Sequence, residues 1–104
     1  MTDVDMKKAE RESMRWRILK VLAAGAPWPV GEGLLQAALD DAALRVSPAE
    51  MRKQLDYLCD KKLLVIHQRD QAVWLAQLTS DGTDVVEYTA PCPTGIRRPD
   101  QWFR

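Results

Sequence analysis

Long apolar runs, a signal-peptide pattern and clustered cysteines are all missing from this sequence of 104 residues. A membrane-spanning helix needs about 18 or more consecutive apolar residues, and the sequence has no such run. Residues 1–12 are densely charged with both signs, whereas a signal peptide combines a basic start with an apolar stretch. We therefore expect a soluble protein of the cytoplasm.

Metal-binding patterns are also scarce. The sequence has two cysteines, Cys59 and Cys92, and one histidine, His67, and it contains no CxxC motif. Such an isolated set is a poor basis for a zinc site, and disulfides are rare in cytosolic proteins. We expect two reduced thiols, no metal ion and no cofactor.

No catalytic pattern occurs either. The sequence has no Ser, His and Asp in a plausible catalytic order, no Gly-rich phosphate loop and no HExxH motif. The pair Asp40-Asp41 fits the solvated end of a helix better than a metal site. We expect a binding protein that is not an enzyme, and nothing in the sequence indicates a small-molecule ligand.

The charge is balanced overall, with 15 basic and 15 acidic residues. Indiscriminate nucleic-acid binding relies on many clustered Lys and Arg side chains that neutralise phosphates, so a zero net charge argues against it. Basic residues are in slight excess in two segments, 1–24 and 47–62. Only local basic patches are therefore available to a nucleic acid.

The hydrophobic pattern predicts one mainly α-helical domain, because 46% of the residues are hydrophobic and 29% are charged. Apolar residues at helical spacing predict a first helix over residues 4–24, with Met14, Ile18, Val21 and Leu22 inward. A short extended segment follows at 28–30, because a residue that precedes proline avoids the α region. A second helix is predicted over 31–43.

The third helix has the clearest start in the sequence. Ser47-Pro48-Ala49-Glu50 fits a capping box, in which the Ser47 hydroxyl accepts from the Glu50 backbone N–H and the Glu50 side chain reaches back. Pro48 occupies the first helical position, where its missing N–H costs nothing. The helix is predicted to end near residue 61, with Met51, Leu55, Leu58 and Cys59 inward.

A β-hairpin and a short last helix complete the predicted domain. Two runs rich in β-branched and aromatic residues, 63–67 and 72–78, flank a short polar loop. That loop has no Gly or Asn to specify its turn type. A last helix is predicted over 79–88, which gives a domain over 1–88. Prolines then predict an extended tail over 89–104, held by Ile96, Trp102 and Phe103.

Three helices followed by a hairpin form a winged helix-turn-helix, and two motifs resemble that group. Residues 58–66 (LCDKKLLVI) resemble the segment from the third helix into the wing of many winged-helix regulators. Residues 78–82 (LTSDG) look like the LTxxG motif of the MarR, PadR and ArsR-like groups. An ArsR-type metal site is not implied, because the third helix has no Cys-x-Cys pair. These similarities cover about residues 9–88.

The whole chain also resembles a family of small winged-helix proteins of Mu-like prophages. The similarity includes the ending YTAPCPTGIRRPDQWF at residues 88–103. It implies a phage context and no particular activity.

The winged-helix resemblance implies that the third helix enters the major groove of double-stranded DNA. If Met51, Leu55 and Leu58 are buried, the opposite face carries the cations Arg52 and Lys53. The predicted DNA contacts on this helix and the wing are Ser47, Arg52, Lys53, Tyr57 and Arg69. Asp56 and Asp60 would repel phosphate unless paired, and Arg52 lies one helical turn from Asp56. A solvated helix face or a protein contact is the alternative interpretation.

Trp16 lies off the apolar stripe of the first helix. We interpret it as a dimer contact or as a seat for the C-terminal tail, and Trp102 and Phe103 are assigned to the same homodimer interface. The leading hypothesis is therefore a homodimeric DNA-binding protein that regulates transcription or handles DNA in a prophage. The alternative is a protein–protein interaction module without DNA binding, which the zero net charge and the aromatic tail favour.

Overall fold

The computed structural model describes residues 5–101, which form four helices and a small sheet. The elements in chain order are α1 (Met6–Gly25), β1 (Val30–Gly31), α2 (Glu32–Asp41), α3 (Pro48–Asp60), β2 (Leu64–His67), β3 (Leu75–Leu78) and α4 (Ser80–Val86). The order of helices and strands is the predicted one, with β1 formed from the end of the extended segment.

Helix α1 runs along the other elements of the domain and contacts α2, α3, α4 and β3. Its start is capped by Asp5, whose side chain accepts from the Lys8 backbone N–H at 3.0 Å. Its buried residues are Met14, Ile18, Leu19 and Leu22. Leu19 is thus buried although the helical pattern did not select it, and Val21 is only half-buried.

Helix α3 begins as the sequence predicts. The Ser47 side chain accepts from the Glu50 backbone N–H at 3.1 Å, and Pro48 is the first helical residue. The return half of the capping box was wrong: the Glu50 carboxylate accepts from the Gln54 side-chain amide. Gln54 is 3% exposed and also accepts from Arg15 at 2.8 Å. Gln54 is therefore an inward position that the pattern did not select, while Cys59 is only half-buried.

The sheet has three antiparallel strands in the order β1-β3-β2. Val30 of β1 faces Ala76 of β3, and Ile66 of β2 faces Ala76 from the other side. The prediction that the second strand of the hairpin begins at residue 72 was wrong, since β3 begins at Leu75. The preceding residues leave the sheet because they bond to side chains from α2 and α3. The hairpin turns with Gln68 at φ 63°, a left-handed conformation that the sequence did not signal.

The LTSDG motif joins β3 to α4. Thr79 caps α4, accepting from the Gly82 backbone N–H at 3.0 Å, and its own backbone N–H donates to the Leu63 carbonyl at 3.1 Å. Gly82 packs directly on that carbonyl: a Cβ at this position would lie 2.1 Å from the Leu63 oxygen. The motif therefore fixes α4 against the junction between α3 and β2.

Residues 89–101 follow an irregular path back across the same domain. Ile96 is 8% exposed and joins the core. The Arg97 backbone N–H donates to the Glu12 carbonyl at 3.1 Å, and the Arg97 side chain bonds the Glu12 carboxylate at 3.1 Å. Arg98 donates to the carbonyls of Val85 and Ala90, both at 2.9 Å. The tail is thus held by Ile96 as predicted, while Trp102 and Phe103 lie outside the described residues.

Candidate nucleic-acid interface

Arg52, on the exposed side of α3, is held by groups from α2 and from the hairpin loop. Its Nε and Nη2 donate to the two carboxylate oxygens of Glu32 at 2.9 and 2.6 Å. Nη2 also donates to the Ala72 carbonyl at 3.0 Å, and the guanidinium carbon lies 4.4 Å from the centre of the Trp74 ring. Arg52 therefore links the third helix to both neighbouring elements.

Arg69, in the hairpin loop, reaches the same tryptophan. Its guanidinium carbon lies 4.8 Å from the centre of the Trp74 ring, and its Nη2 lies 2.8 Å from the Asp56 carboxylate of α3. The Trp74 indole N–H donates to the Arg69 carbonyl at 3.0 Å. Asp56 was expected to pair with Arg52 along the helix. Asp56 pairs across the domain with Arg69, because the Arg52 guanidinium is already hydrogen-bonded to Glu32.

Glu32, Arg52, Asp56, Arg69 and Trp74 thus form one connected set, which we call the Trp74 cluster. It brings two of the predicted DNA contacts, Arg52 and Arg69, to one surface. Lys53 adjoins this cluster on α3 and is exposed, with no ion pair among residues 5–101. Ser47 is exposed at the start of the same helix, and its capping bond uses only the hydroxyl oxygen as acceptor.

Tyr57 does not share that surface. The guanidinium carbon of Arg15 lies 3.6 Å from the centre of the Tyr57 ring, and the Tyr57 hydroxyl donates to the Thr94 carbonyl at 3.2 Å. Its ring thus faces α1 and the tail, because tail residues cover the side of α3 that a helical pattern alone assigns to solvent. The ring and hydroxyl of Tyr57 are thus engaged within the domain, and its contact with DNA stays a prediction.

The comparisons with known proteins point to one fold. No protein-family model matches the chain, and no curated protein matches its sequence. Among solved structures, RosR of H. salinarum is similar, with 22% sequence identity and a TM-score of 0.64 over 73% of this chain and 67% of RosR. A complex structure designated RosR-S4 gives 20% identity and a TM-score of 0.64 over 79% of this chain and 72% of that one.

The chain has a winged-helix fold. In this fold α3 occupies the position that the recognition helix has in DNA-binding members, and the β2–β3 hairpin is the wing. A second RosR complex, RosR-S1, gives 22% identity and a TM-score of 0.62 over 72% of this chain and 65% of that one. The chain therefore spans about two thirds of the RosR chains that it resembles.

The ion pairs of the Trp74 cluster determine the charges of its side chains. The hydrogen bond from Arg52 lowers the pKa of Glu32 below its ordinary value of 4.5, against the opposing effect of burial. The same bond raises the pKa of Arg52, and the bond to Asp56 raises the pKa of Arg69. The Glu32 carboxylate is therefore ionised at neutral pH. Glu32 pairs with Arg52, and Asp56 pairs with Arg69.

Sequence reasoning missed the two residues that organise this face, Glu32 and Trp74. The Trp74 backbone N–H donates to the Glu32 carboxylate at 3.0 Å, although 42 residues separate them. A glutamate in the first turn of a helix is common because it interacts favourably with the helix dipole. A tryptophan in a hairpin is equally typical of a β-strand, so neither residue suggested a functional site. Only the fold brings them together.

Trp16 has a partner within its own chain. Its ring meets the Tyr88 ring edge-on, with the ring centres 6.2 Å apart, and it packs against the core. The Tyr88 hydroxyl donates to the Pro99 carbonyl at 2.7 Å, and Arg98 lies over the Tyr88 ring. Of the two interpretations given to Trp16, the contacts of the described residues correspond to the seat for the tail.

A cavity of about 430 Å³ is lined by the residues after α4, among them Tyr88, Cys92 and Arg98. Burial raises the pKa of the Cys92 thiol, which keeps it protonated at neutral pH.

Among residues 5–101 no three His, Cys, Asp or Glu side chains are grouped so that they could hold a metal ion. Within the same range no helix is long and apolar enough to cross a bilayer.

Proposed function

We propose that this chain binds double-stranded DNA through the recognition helix and the wing, and acts as a transcription regulator. The observation that carries the proposal is the Trp74 cluster, in which Arg52 and Arg69 contact the same tryptophan ring. Exposed Lys53 follows Arg52 along α3. Guanidinium groups bind guanine edges or phosphates, and lysine binds phosphates. The fold shared with RosR, that of a DNA-binding transcription regulator, supports the proposal.

The finer parts of the proposal rest on the sequence. The resemblance to small proteins of Mu-like prophages suggests a regulator or DNA-handling protein of a phage genome. Such a role belongs in the cytoplasm. The target site would then lie in prophage DNA integrated in the host chromosome.

Binding should be tested by mobility shift with fragmented genomic DNA of the source organism over a series of salt concentrations. Lys53→Ala should weaken binding to every fragment and reduce the slope of log affinity against log salt by about 1. Lys20→Ala is the matched control, since Lys20 is an exposed cation on α1 beside Trp16. The control should bind like the wild-type protein.

Arg52→Ala should weaken specific binding by roughly tenfold or more, as expected for loss of a base contact. Because Arg52 also holds Glu32 and Trp74, this variant should lose stability as well, and binding must be measured well below its melting temperature. Unchanged DNA binding in an Arg52→Ala, Lys53→Ala double variant would contradict the proposal.

A protein-interaction module is the second candidate. The observation that favours it is that carboxylates compensate Arg52 and Arg69, so the face carries little net positive charge. Leu34 of α2 and Val73 of the wing are also exposed, at 63% and 50%. If no duplex is shifted at any salt concentration, this second function takes the place of the first.

The homodimer stays a prediction. Trp16 contacts Tyr88 within one chain, so the prediction now rests on the sequence of Trp102 and Phe103. Sedimentation equilibrium should compare the full chain with one that ends at Gln101. A full chain that is monomeric at tens of micromolar would contradict the dimer.

A further inference from the structure

Of the three cations proposed to contact DNA, Arg52 and Arg69 are already bound to carboxylates of the same chain, and Lys53 is not. Glu32 engages Arg52 through two hydrogen bonds, the two-pronged geometry that arginine also uses for phosphates and guanine edges. Asp56 engages Arg69 at 2.8 Å. Any DNA that uses these arginines must replace the carboxylates.

We propose that Glu32 and Asp56 are built-in competitors of DNA, which suppress binding to duplexes of unselected sequence. The inference rests on the proposed function. Nonspecific affinity depends on the number of phosphates that the protein neutralises. With both arginines compensated, Lys53 is the uncompensated cation of this set, so the phosphate backbone alone gives little binding. A target site offers base-edge contacts in addition and can displace the carboxylates.

The two competitors differ in how easily they are displaced. Asp56 and Arg69 are both 47% exposed at their side chains, and exposed ion pairs are weak. Glu32 is 15% exposed, and Arg52 is 35% exposed. Arg69 is therefore the first arginine that a passing duplex can engage, and Arg52 is released only when better contacts replace those of Glu32.

The structure also shows why release of Arg52 is tolerated. Glu32 Oε1 accepts from the Trp74 backbone N–H as well as from Arg52. When Arg52 turns to DNA, Glu32 keeps this backbone donor and its place beside the wing. An anion left without any donor would make the exchange far more costly. Glu32 thus acts on DNA binding only by competing for Arg52.

The inference is tested with Glu32→Gln, Asp56→Asn and the double variant. Each substitution removes one negative charge. Asp56→Asn keeps an oxygen that can accept from Arg69, whereas Glu32→Gln keeps only one of the two oxygens that accept from Arg52 and so also breaks the two-pronged contact. Glu87→Gln is the matched control, because Glu87 is exposed at the end of α4, which packs on α1 and β3. Thermal unfolding is measured for each variant, so that binding is compared only between folded proteins.

Fluorescence anisotropy with a labelled duplex of unselected sequence gives the readout. Two freed arginines should steepen the slope of log affinity against log salt by about 1.8, at about 0.9 for each phosphate contact. The affinity lost between about 50 and 200 mM salt should then be about tenfold greater in the double variant than in the wild-type protein. The double variant should also bind more tightly at low salt, and Glu87→Gln should not.

Affinity and salt slope equal to those of the wild-type protein would overturn the inference while leaving DNA binding intact. Weaker binding by the variants would also overturn it, since the carboxylates would then serve only to orient the arginines. If neither the wild-type protein nor any variant binds any duplex, the proposed function itself fails, and the inference falls with it. If Glu32→Gln does not fold, the exposed Asp56→Asn substitution decides alone.

Discussion

Replacing Gly82 by alanine tests how α4 is fixed to the domain. A Cβ at this position would lie 2.1 Å from the Leu63 carbonyl oxygen and 2.7 Å from Cδ1 of Leu78. The Leu63 backbone cannot retreat easily, because its N–H donates to the Leu58 carbonyl and its oxygen accepts from the Thr79 N–H. Helix α4 must therefore move by roughly 1 Å or more to reach a normal contact distance.

The expected cost combines three effects. Overpacking a well-packed site costs about 1–3 kcal/mol, and loss of the Thr79–Leu63 hydrogen bond costs about 0.5–1.5 kcal/mol. The alanine returns up to about 1 kcal/mol through its better helix propensity. The net loss of unfolding free energy is about 2 kcal/mol, which lowers the melting temperature of a domain of this size by about 10 °C.

The assay is urea unfolding followed by far-UV circular dichroism. Gly82→Ala should lower the midpoint with an unchanged dependence on denaturant, because the surface exposed on unfolding stays the same. Gly33→Ala is the matched control: a Cβ there meets nothing within 4 Å, so this substitution in α2 should leave stability unchanged or raise it by up to about 1 kcal/mol. A Gly82→Ala protein as stable as the wild type would refute the packing argument.

Three further predictions follow from single contacts. Gly95→Ala should expose the tail to proteolysis, because Gly95 has φ 97° and a Cβ would lie 2.1 Å from the Tyr57 hydroxyl; trypsin digestion followed by mass spectrometry measures this. Ser47→Ala should lower the unfolding free energy by about 0.5–2 kcal/mol through loss of the cap, measured by urea unfolding. The ion pair with Arg52 lowers the pKa of Glu32 below 4.5, so its stabilising effect is present above that pH and is lost as the pH falls further. Glu32→Gln should therefore lose less stability than the wild type between neutral pH and pH values below 4.5.

Two of these predictions have a control variant. Ser80→Ala alters an exposed serine that caps no helix and should leave stability unchanged. Gly33→Ala, again, should leave the tail as resistant to trypsin as in the wild type. Parallel stability curves for Glu32→Gln and the wild type at acidic pH would contradict the pKa argument, and equal stability of Ser47→Ala would contradict the capping argument.

The helices could be predicted from the sequence because their signals are local. The Ser47 cap lies three residues from its partner, and the apolar spacing of α1 and α3 repeats within a few turns. The candidate site depends on contacts between residues far apart in the chain. Arg52 and Glu32 are separated by 20 positions, and Arg15 reaches the carbonyl of Gly95 across 80. Helix and strand propensities and the spacing of apolar residues describe neighbouring positions, so they cannot predict such long-range pairs.

Tyr57 shows the same limit from another side. A helical pattern places Tyr57 opposite the buried stripe. It could contact DNA there only if that face of the helix were exposed to solvent. The irregular chain at Thr94 and Gly95 covers it. A helix face is therefore open or closed according to segments that have no periodic pattern of their own.

Arg98 gives the tail a part in completing the last helix. Its guanidinium donates to the carbonyls of Val85 and Ala90, at and just beyond the end of α4. The Val85 carbonyl also accepts from the Tyr88 backbone N–H, so Arg98 adds a second donor to the helix end. The contacts of the domain therefore extend past Tyr88 to Pro99, whose carbonyl accepts from the Tyr88 hydroxyl. A minimal domain for crystallisation or for fusion to a reporter should retain these residues, because a cut at the end of α4 would separate the helix from the side chain that finishes it.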